Sequence, residues 1–250
     1  MIKKITFFLL LTLSLSSCEK DVMDANAIIN KSIEVSGGEL FKKSTIEFDF
    51  RDKHYKAIRD NGKIQYERIF NDSLGEIKDV LNNKGFRRFV KDSISVVSDG
   101  KEQAYAASVN SVHYFSVLPY GLNDKAVNKT FLYEVQVKGK SYYKIKVTFN
   151  KDGGGEDFDD EFIYWVNKDT FKADYLVYSY NEKDGRGYRF REAYNERFIG
   201  DIRFVDYNNY KPANNEVSLE SLDVLFETNK LELLSKIELK NISVKTDTIQ

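Results

Sequence analysis

The sequence predicts a mainly β (α+β) fold: a curved antiparallel sheet or open half-barrel of about ten strands, with an N-terminal helix and one helix in the concave face. Three observations predict it. Most of the chain alternates apolar and polar residues with a period of two. Short turns rich in Asn, Asp and Gly separate the alternating segments, and one nearly uncharged helical stretch divides two groups of them. A long antiparallel sheet must curl to bury its apolar face and protect its edges. A helix apolar around most of its circumference is a natural filler for the hollow.

Asp24 is placed to cap a helix through Ala27, Ile28, Ile29, Ser32 and Ile33, and Gly37-Gly38 stops it. The period then changes to two. Ile46, Phe48 and Phe50 alternate with Glu47, Asp49 and Arg51, and Asp60-Asn61-Gly62 makes a hairpin turn before Ile64, Tyr66 and Phe70. Further strands are expected near 75–81, 85–91 and 93–98. Tyr105, Val109, Val112 and Ser116 recur at helical spacing with Ala104, Ala106 and Ala107 between them, so 101–118 reads as a helix ended by Pro119 and Gly121. It has few charges beyond Lys101 and Glu102, and most of its circumference is expected to be covered by protein. In the second half, Phe131, Tyr133, Val135 and Val137 share one face of a strand, as do Tyr143, Ile145, Val147 and Phe149 of the next. Strands follow at 161–166, 173–180, 187–194 and 202–207, and Leu231 to Leu239 is a final strand or a short helix. One polar face per strand predicts a sheet with water on one side.

Charge is balanced, with 38 Lys and Arg against 39 Asp and Glu. That excludes a nucleic-acid partner of the usual kind, because phosphate binding needs a cationic excess. A single cysteine excludes a disulfide framework and a thiolate zinc site. Two prolines, no internal repeat and no break in composition argue for one domain over residues 25–250. Nucleophile-elbow, P-loop and dinucleotide fingerprints are absent from the sequence.

Residues 1–17 read as a lipoprotein signal peptide: Lys3 and Lys4 form a cationic head, and Phe7 to Leu13 an apolar stretch too short to span a bilayer. Leu15-Ser16-Ser17-Cys18 has the pattern of a bacterial lipobox, in which the cysteine thiolate takes a diacylglycerol. Acylated Cys18 would then hold the protein to a membrane through a tether of residues 18–24, since several acyl chains at about 0.8 kcal/mol per buried CH₂ make a durable anchor. The expected location is the cell envelope, lipid-anchored, at the outer membrane.

A lipobox, an N-terminal helix ending in Gly-Gly, a meander, an enclosed helix and a second meander together resemble the periplasmic lipoprotein-carrier and lipid-binding half-barrel superfamily. Three segments, His113-Tyr114-Phe115-x-x-Leu118-Pro119-Tyr120, Gly154-Gly155-Glu156-Asp157-Phe158-Asp159-Asp160 and Arg189-Phe190-Arg191-Glu192, resemble an uncharacterised family of bacterial outer-membrane lipoproteins. That resemblance covers most of residues 25–210 and implies a lipoprotein-carrier-like half-barrel. Some members of the family carry a deoxyribose-phosphate aldolase label, which this sequence does not support. Such chemistry uses a parallel α/β barrel and a desolvated Schiff-base lysine; here the strands read as antiparallel and the lysines as lying on polar faces.

The candidate ligand-binding residues are His113, Tyr114, Tyr133, Tyr143, Trp165, Tyr178, Arg189 and Arg191. His113, on the border of the helix's apolar stripe, either lines a cavity or is a hydrogen-bonded packing residue. Arg189 and Arg191, two apart in a strand, share a face and suit a carboxylate or a phosphate such as a lipid head group; the alternative is pairing with acids such as Asp159 or Asp174. The aromatics either pack a core or line a hollow for an amphipathic ligand. Glu156, Asp157, Asp159 and Asp160 beside three glycines form a candidate metal loop of the oxygen-rich kind that Ca²⁺ prefers, without EF-hand spacing; a solvated hairpin is the other reading. No other cofactor is expected, and the sequence leaves protein partners open. The expected function is non-enzymatic binding of a lipid or other hydrophobic or amphipathic molecule. The alternatives are an envelope enzyme using the carboxylates near 156–161 with His113 or Arg189, and a structural or interaction module of the outer membrane.

Overall fold

The computed structural model describes residues 24–153, 158–182 and 185–246. The signal segment, Cys18, Glu156 and Asp157 lie outside the described residues. Helix α1 (Ala25–Val35) starts where expected: the Asp24 side chain accepts a hydrogen bond from the Ala27 amide at 2.8 Å. It ends at Ser36, and Gly37 then takes a φ of +131°. A Cβ at Gly37 would sit 3.0 Å from the Phe41 ring and 3.1 Å from the Ile202 side chain, so both backbone and space call for glycine.

Six strands follow: β1 (Lys43–Phe50), β2 (Lys53–Asp60), β3 (Lys63–Asp72), β4 (Gly75–Asn82), β5 (Gly85–Val90) and β6 (Ser93–Ser95). Helix α2 (Asp99–Ser116) comes next, then β7 (Val127–Val137), β8 (Lys140–Phe149), β9 (Phe162–Asn167), β10 (Ala173–Glu182), β11 (Gly185–Ile199) and β12 (Ile202–Pro212). Helix α3 (Leu222–Glu227) precedes β13 (Leu231–Ile237) and β14 (Leu239–Thr246). The strands form two antiparallel sheets of seven, ordered β14-β1-β2-β3-β4-β5-β6 and β13-β12-β11-β10-β9-β8-β7. Strands β6 and β7 are end strands of their sheets, so the structure is an open half-barrel of the predicted class.

The segment 231–246 is the seam. β13 pairs with β12 in one sheet, and after Glu238 β14 pairs with β1 in the other. The corner is held by charge. Asp206, nearly fully buried, accepts from the Leu239 amide at 3.0 Å and from Arg197 at 2.9 Å, and Arg197 also donates to the Leu239 carbonyl at 2.7 Å. An apolar cluster including Phe41, Ile46, Phe48, Ile202, Phe204 and Leu239 fills the junction beneath it.

The architecture decides one open alternative, for Leu231 to Leu239, and departs from the sequence reading in three respects. The described residues hold fourteen strands rather than about ten; Lys53–Asp60 and Leu239–Thr246 are strands in addition to the expected runs. Leu231 to Leu239 is β13 and the start of β14. The second sheet has no wet face at its centre: all six residues of β9 are buried. Ile28 and Ile29 of α1 cover one side, and Leu222 and Phe226 of α3 cover the other. Finally, the reading that lysines lie on polar faces fails at Lys144 of β8, which is fully buried under α3. Its ammonium donates to Asp223 at 2.8 Å, to the Glu220 carbonyl at 2.6 Å and to the Tyr133 hydroxyl at 3.0 Å, while the Trp165 indole donates to the same Asp223 oxygen at 3.1 Å.

Candidate functional site

Helix α2 stands on the first sheet. Val109 and His113 are its fully buried residues, and its contacts run to β3, β4 and β5. Asp79 of β4, with no exposure, accepts from Arg68 at 2.7 and 3.1 Å and from Arg88 at 2.7 and 2.9 Å. Arg68 reaches on to the Ser108 hydroxyl of α2 at 2.6 Å, and the Arg88 guanidinium lies 3.7 Å from the Tyr105 ring centre. The charged network therefore fastens the helix to this sheet.

The other flank of α2 carries Ala106, Ala107, Asn110 and Ser111, side chains too short to fill the space toward the second sheet. Only Tyr114 and Phe115, at its C-terminal end, reach across; Phe115 lies 5.2 Å from Tyr178 and 6.1 Å from Phe162 between ring centres. The expectation that protein covers most of this helix is thus corrected. A cavity of about 990 Å³ remains between α2 and the sheet. Phe162, Tyr178, Val205, Tyr207 and Ile237, which share the concave face of β9 to β13, supply much of its wall. Exposed Gln103, Asn110, Ser111 and Asn181 are lining residues that also meet solvent.

Arg191 is the buried cation of this lining, without a carboxylate partner among the described residues; Arg51, also in the lining, is exposed to solvent. Arg191 is 7% exposed, and its guanidinium lies 3.9 Å from the Phe115 ring centre, 5.0 Å from Tyr178 and 5.8 Å from Tyr207. Nη2 donates to the Tyr178 hydroxyl at 3.0 Å; Nε and Nη1 are buried without an acceptor among the described residues. The acids proposed as partners are engaged elsewhere. Asp159 accepts from Asn181, and Asp174 accepts from the Tyr142 hydroxyl at 3.0 Å. Tyr114 is pushed up to about 12 by burial, with the Tyr164 hydroxyl beside it.

Three of the sequence candidates, Tyr114, Tyr178 and Arg191, line the cavity, and Arg189 lies against Tyr180 of the same wall, 4.8 Å from its ring centre. Tyr143 is on the concave face but packs on Phe131 and Phe171. Tyr133 and Trp165 are on the opposite face, around Lys144 and Asp223. For Tyr133 the cause is the irregularity in the β7–β8 register after Phe131, which inverts the alternation so that Phe131 faces inward and Tyr133 outward; Trp165 simply alternates with the inward-facing Tyr164. Phe115, Phe162 and Tyr207 line the cavity beyond the residues the sequence points to, although Phe162 shares parity with Tyr164 and Tyr178 pairs directly across from it. Asp160 lines the cavity, while Asp159 stands by Asn181 and Arg186. Among the described residues no group of three or more His, Cys, Asp or Glu side chains is placed to hold a metal ion. No described helix is long and apolar enough to cross a membrane.

His113 points away from the cavity into the first sheet. Its ring stacks on Tyr66 at 4.7 Å, meets Phe48 and Tyr55 edge-on, and its Nε2 is 3.1 Å from the Glu67 carbonyl. The structure therefore does not bring it together with the carboxylates of 159–161. Burial, with the nearby Arg59 charge adding to it, pushes its pKa down to about 3. An unfolded chain binds that proton near pH 6.5, so the unfolded state holds more protons between the two values and stability falls as the pH drops. Urea denaturation of His113→Phe between about pH 6 and pH 4 is expected to show a shallower loss than the wild type, by about 1.4 kcal/mol per pH unit. Equal slopes would mean that the imidazole is protonated in the fold.

A two-sheet open half-barrel, with its inner helix held to one sheet and a large hollow against the other, defines the class of protein. The chain belongs to the family of unknown function DUF6503, whose model matches residues 3–239. A crystal structure of a DUF1329 family protein from Desulfovibrio piger is similar over 91% of this chain and 95% of its own, with 12% identity and a TM-score of 0.52, which shows a shared fold. A LolA superfamily protein from Nitrosomonas europaea matches over 89% and 91%, with 11% identity and a TM-score of 0.49. No curated protein matches the sequence.

Proposed function

We propose that this is a lipid-anchored protein of the bacterial cell envelope, held at the outer membrane through Cys18, whose domain of residues 25–250 binds a hydrophobic or amphipathic molecule without transforming it. The observation that carries this reading is the cavity of about 990 Å³. It lies at the upper end of the roughly 300–1,000 Å³ usual for ligand pockets, and side chains on two elements leave it unfilled. A core of this size packed only for stability would be closed, because empty apolar space forfeits packing energy.

Titration with a series of straight-chain alkanols tests it. Burying each added CH₂ is worth about 0.8 kcal/mol, so affinity should rise about fourfold per carbon until the cavity is full and then level off. Native mass spectrometry of a chain starting at residue 22 should also retain a bound apolar molecule. Every described element lies at or after Asp24, so that chain carries the whole described fold. Failure of all alkanols to bind would defeat the proposal.

A further inference from the structure

We infer that the ligand of this cavity is an amphiphile whose polar end is a single anionic oxygen group, a carboxylate or phosphate, received by Arg191 and Tyr178. The inference rests on the binding function proposed above and adds the chemistry of the ligand's head. A buried guanidinium is costly unless something compensates it. At Arg191 the compensation within the fold is partial: three aromatic rings and one tyrosine hydroxyl, with Nε and Nη1 left without acceptors among the described residues. Cation–π contacts place the charge without consuming its hydrogen bonds.

The other covered arginines provide the contrast. Arg68 and Arg88 meet Asp79, Arg197 meets Asp206 and Arg203 meets Glu196. Arg59 also keeps Nε and Nη1 without acceptors among the described residues, between Tyr66 and Tyr120, but it does not line the cavity. Of these buried or nearly covered arginines Arg191 is the one that opens onto the cavity, with no carboxylate paired to it among the described residues. Because the Tyr178 oxygen already accepts from Nη2, its own hydrogen is free to donate to an incoming anion. The apolar wall of Phe115, Phe162, Val205 and Ile237 continues from this point and would take the chain. Of the acids in the lining, Glu102 belongs to the first turn of α2, about 20 Å along the helix from Phe115, and Asp160 has a partner of its own.

The test compares ionised palmitate, hexadecyl phosphate, hexadecanol and hexadecyltrimethylammonium on the chain starting at residue 22, with inorganic phosphate and acetate as headgroups alone. Palmitate or hexadecyl phosphate should bind about 10- to 100-fold more tightly than hexadecanol, the ammonium compound should bind most weakly, and the free anions should bind far below the amphiphiles. Whichever of the two anionic amphiphiles binds better identifies the headgroup. In Arg191→Met the preference for anion over alcohol should vanish while hexadecanol binding persists. Without ligand this variant should also melt higher, by about 2–8 °C, because an uncompensated charge has been removed. Equal affinity of wild type for palmitate, hexadecyl phosphate and hexadecanol would overturn the inference and leave the binding function standing. Binding of free phosphate as tight as that of hexadecyl phosphate would also overturn it. If no amphiphile binds, the underlying function fails instead. The wild-type comparison stands even if the variant does not fold.

Discussion

Asp79→Asn is expected to lower the free energy of unfolding by about 3–5 kcal/mol, the range for breaking a buried ion pair from one side. Asp79 has no solvent exposure, and its two oxygens take four N–H groups from Arg68 and Arg88, whose side chains are themselves almost covered. The amide keeps the shape but removes the negative charge, leaving two guanidiniums facing each other in one site. The consequence extends to function, because Arg68 also holds Ser108 of α2, the helix that walls the cavity. Urea denaturation should show a lower midpoint at unchanged slope. Alkanol affinity should fall as well, since the helix loses its fastening. Stability within about 0.5 kcal/mol of wild type, the usual range for surface changes, would show that the network is solvated rather than buried.

Lys144→Met is expected to cost a similar amount, about 3–5 kcal/mol, by stranding Asp223 beneath α3. The loss should be local first. Hydrogen exchange across 219–230 should accelerate before the sheets open, because Lys144 fastens that segment through Asp223 and the Glu220 carbonyl. Combining it with Asp223→Leu should restore part of the stability. Recovery stays incomplete because the Trp165 indole N–H then lacks its acceptor. A double-mutant cycle measures the coupling, and additive single losses would show that the two charges do not act as a pair.

Much of the fold is legible residue by residue. Asp24 caps α1 and Gly37 ends it because both effects are local to one turn. Asn61-Gly62 turns β2 into β3 with both residues at positive φ, which hairpin geometry demands. The short α3 is less legible: six residues give too little periodicity to register, yet its Leu222 and Phe226 cover the centre of a sheet face. Strand alternation shows which residues share a face but not whether the second face is covered. Lys144 therefore reads as exposed from its neighbours, although it is buried.

The site divides in the same way. That Arg189 and Arg191 share a face, opposite Phe190, follows from a period of two, and the structure keeps it, with Phe190 packed under α3. A period of two puts Tyr133 on one face with Val135 and Phe131, but one register shift separates it from Phe131. His113 and Tyr114 are adjacent in α2 and point to different sheets, so only the rotation of the helix decides which one meets the cavity.

A mainly antiparallel β protein with one inner helix, its caps and turns, and the placing of Arg189 with Arg191 on one face all follow from the order of the residues. These are consequences of contacts a few residues apart. That α2 leans on the first sheet, that α3 closes over the outer face of the second, and that Arg191 is left facing a hollow emerge once the distant strands come together. Those facts depend on charges and rings far apart in the chain: Asp79 with Arg68 and Arg88 seats the helix, and the short side chains of Ala106, Ala107 and Ser111 then leave the opposite flank open. Local periodicity carries no record of which partner arrives from a distant strand.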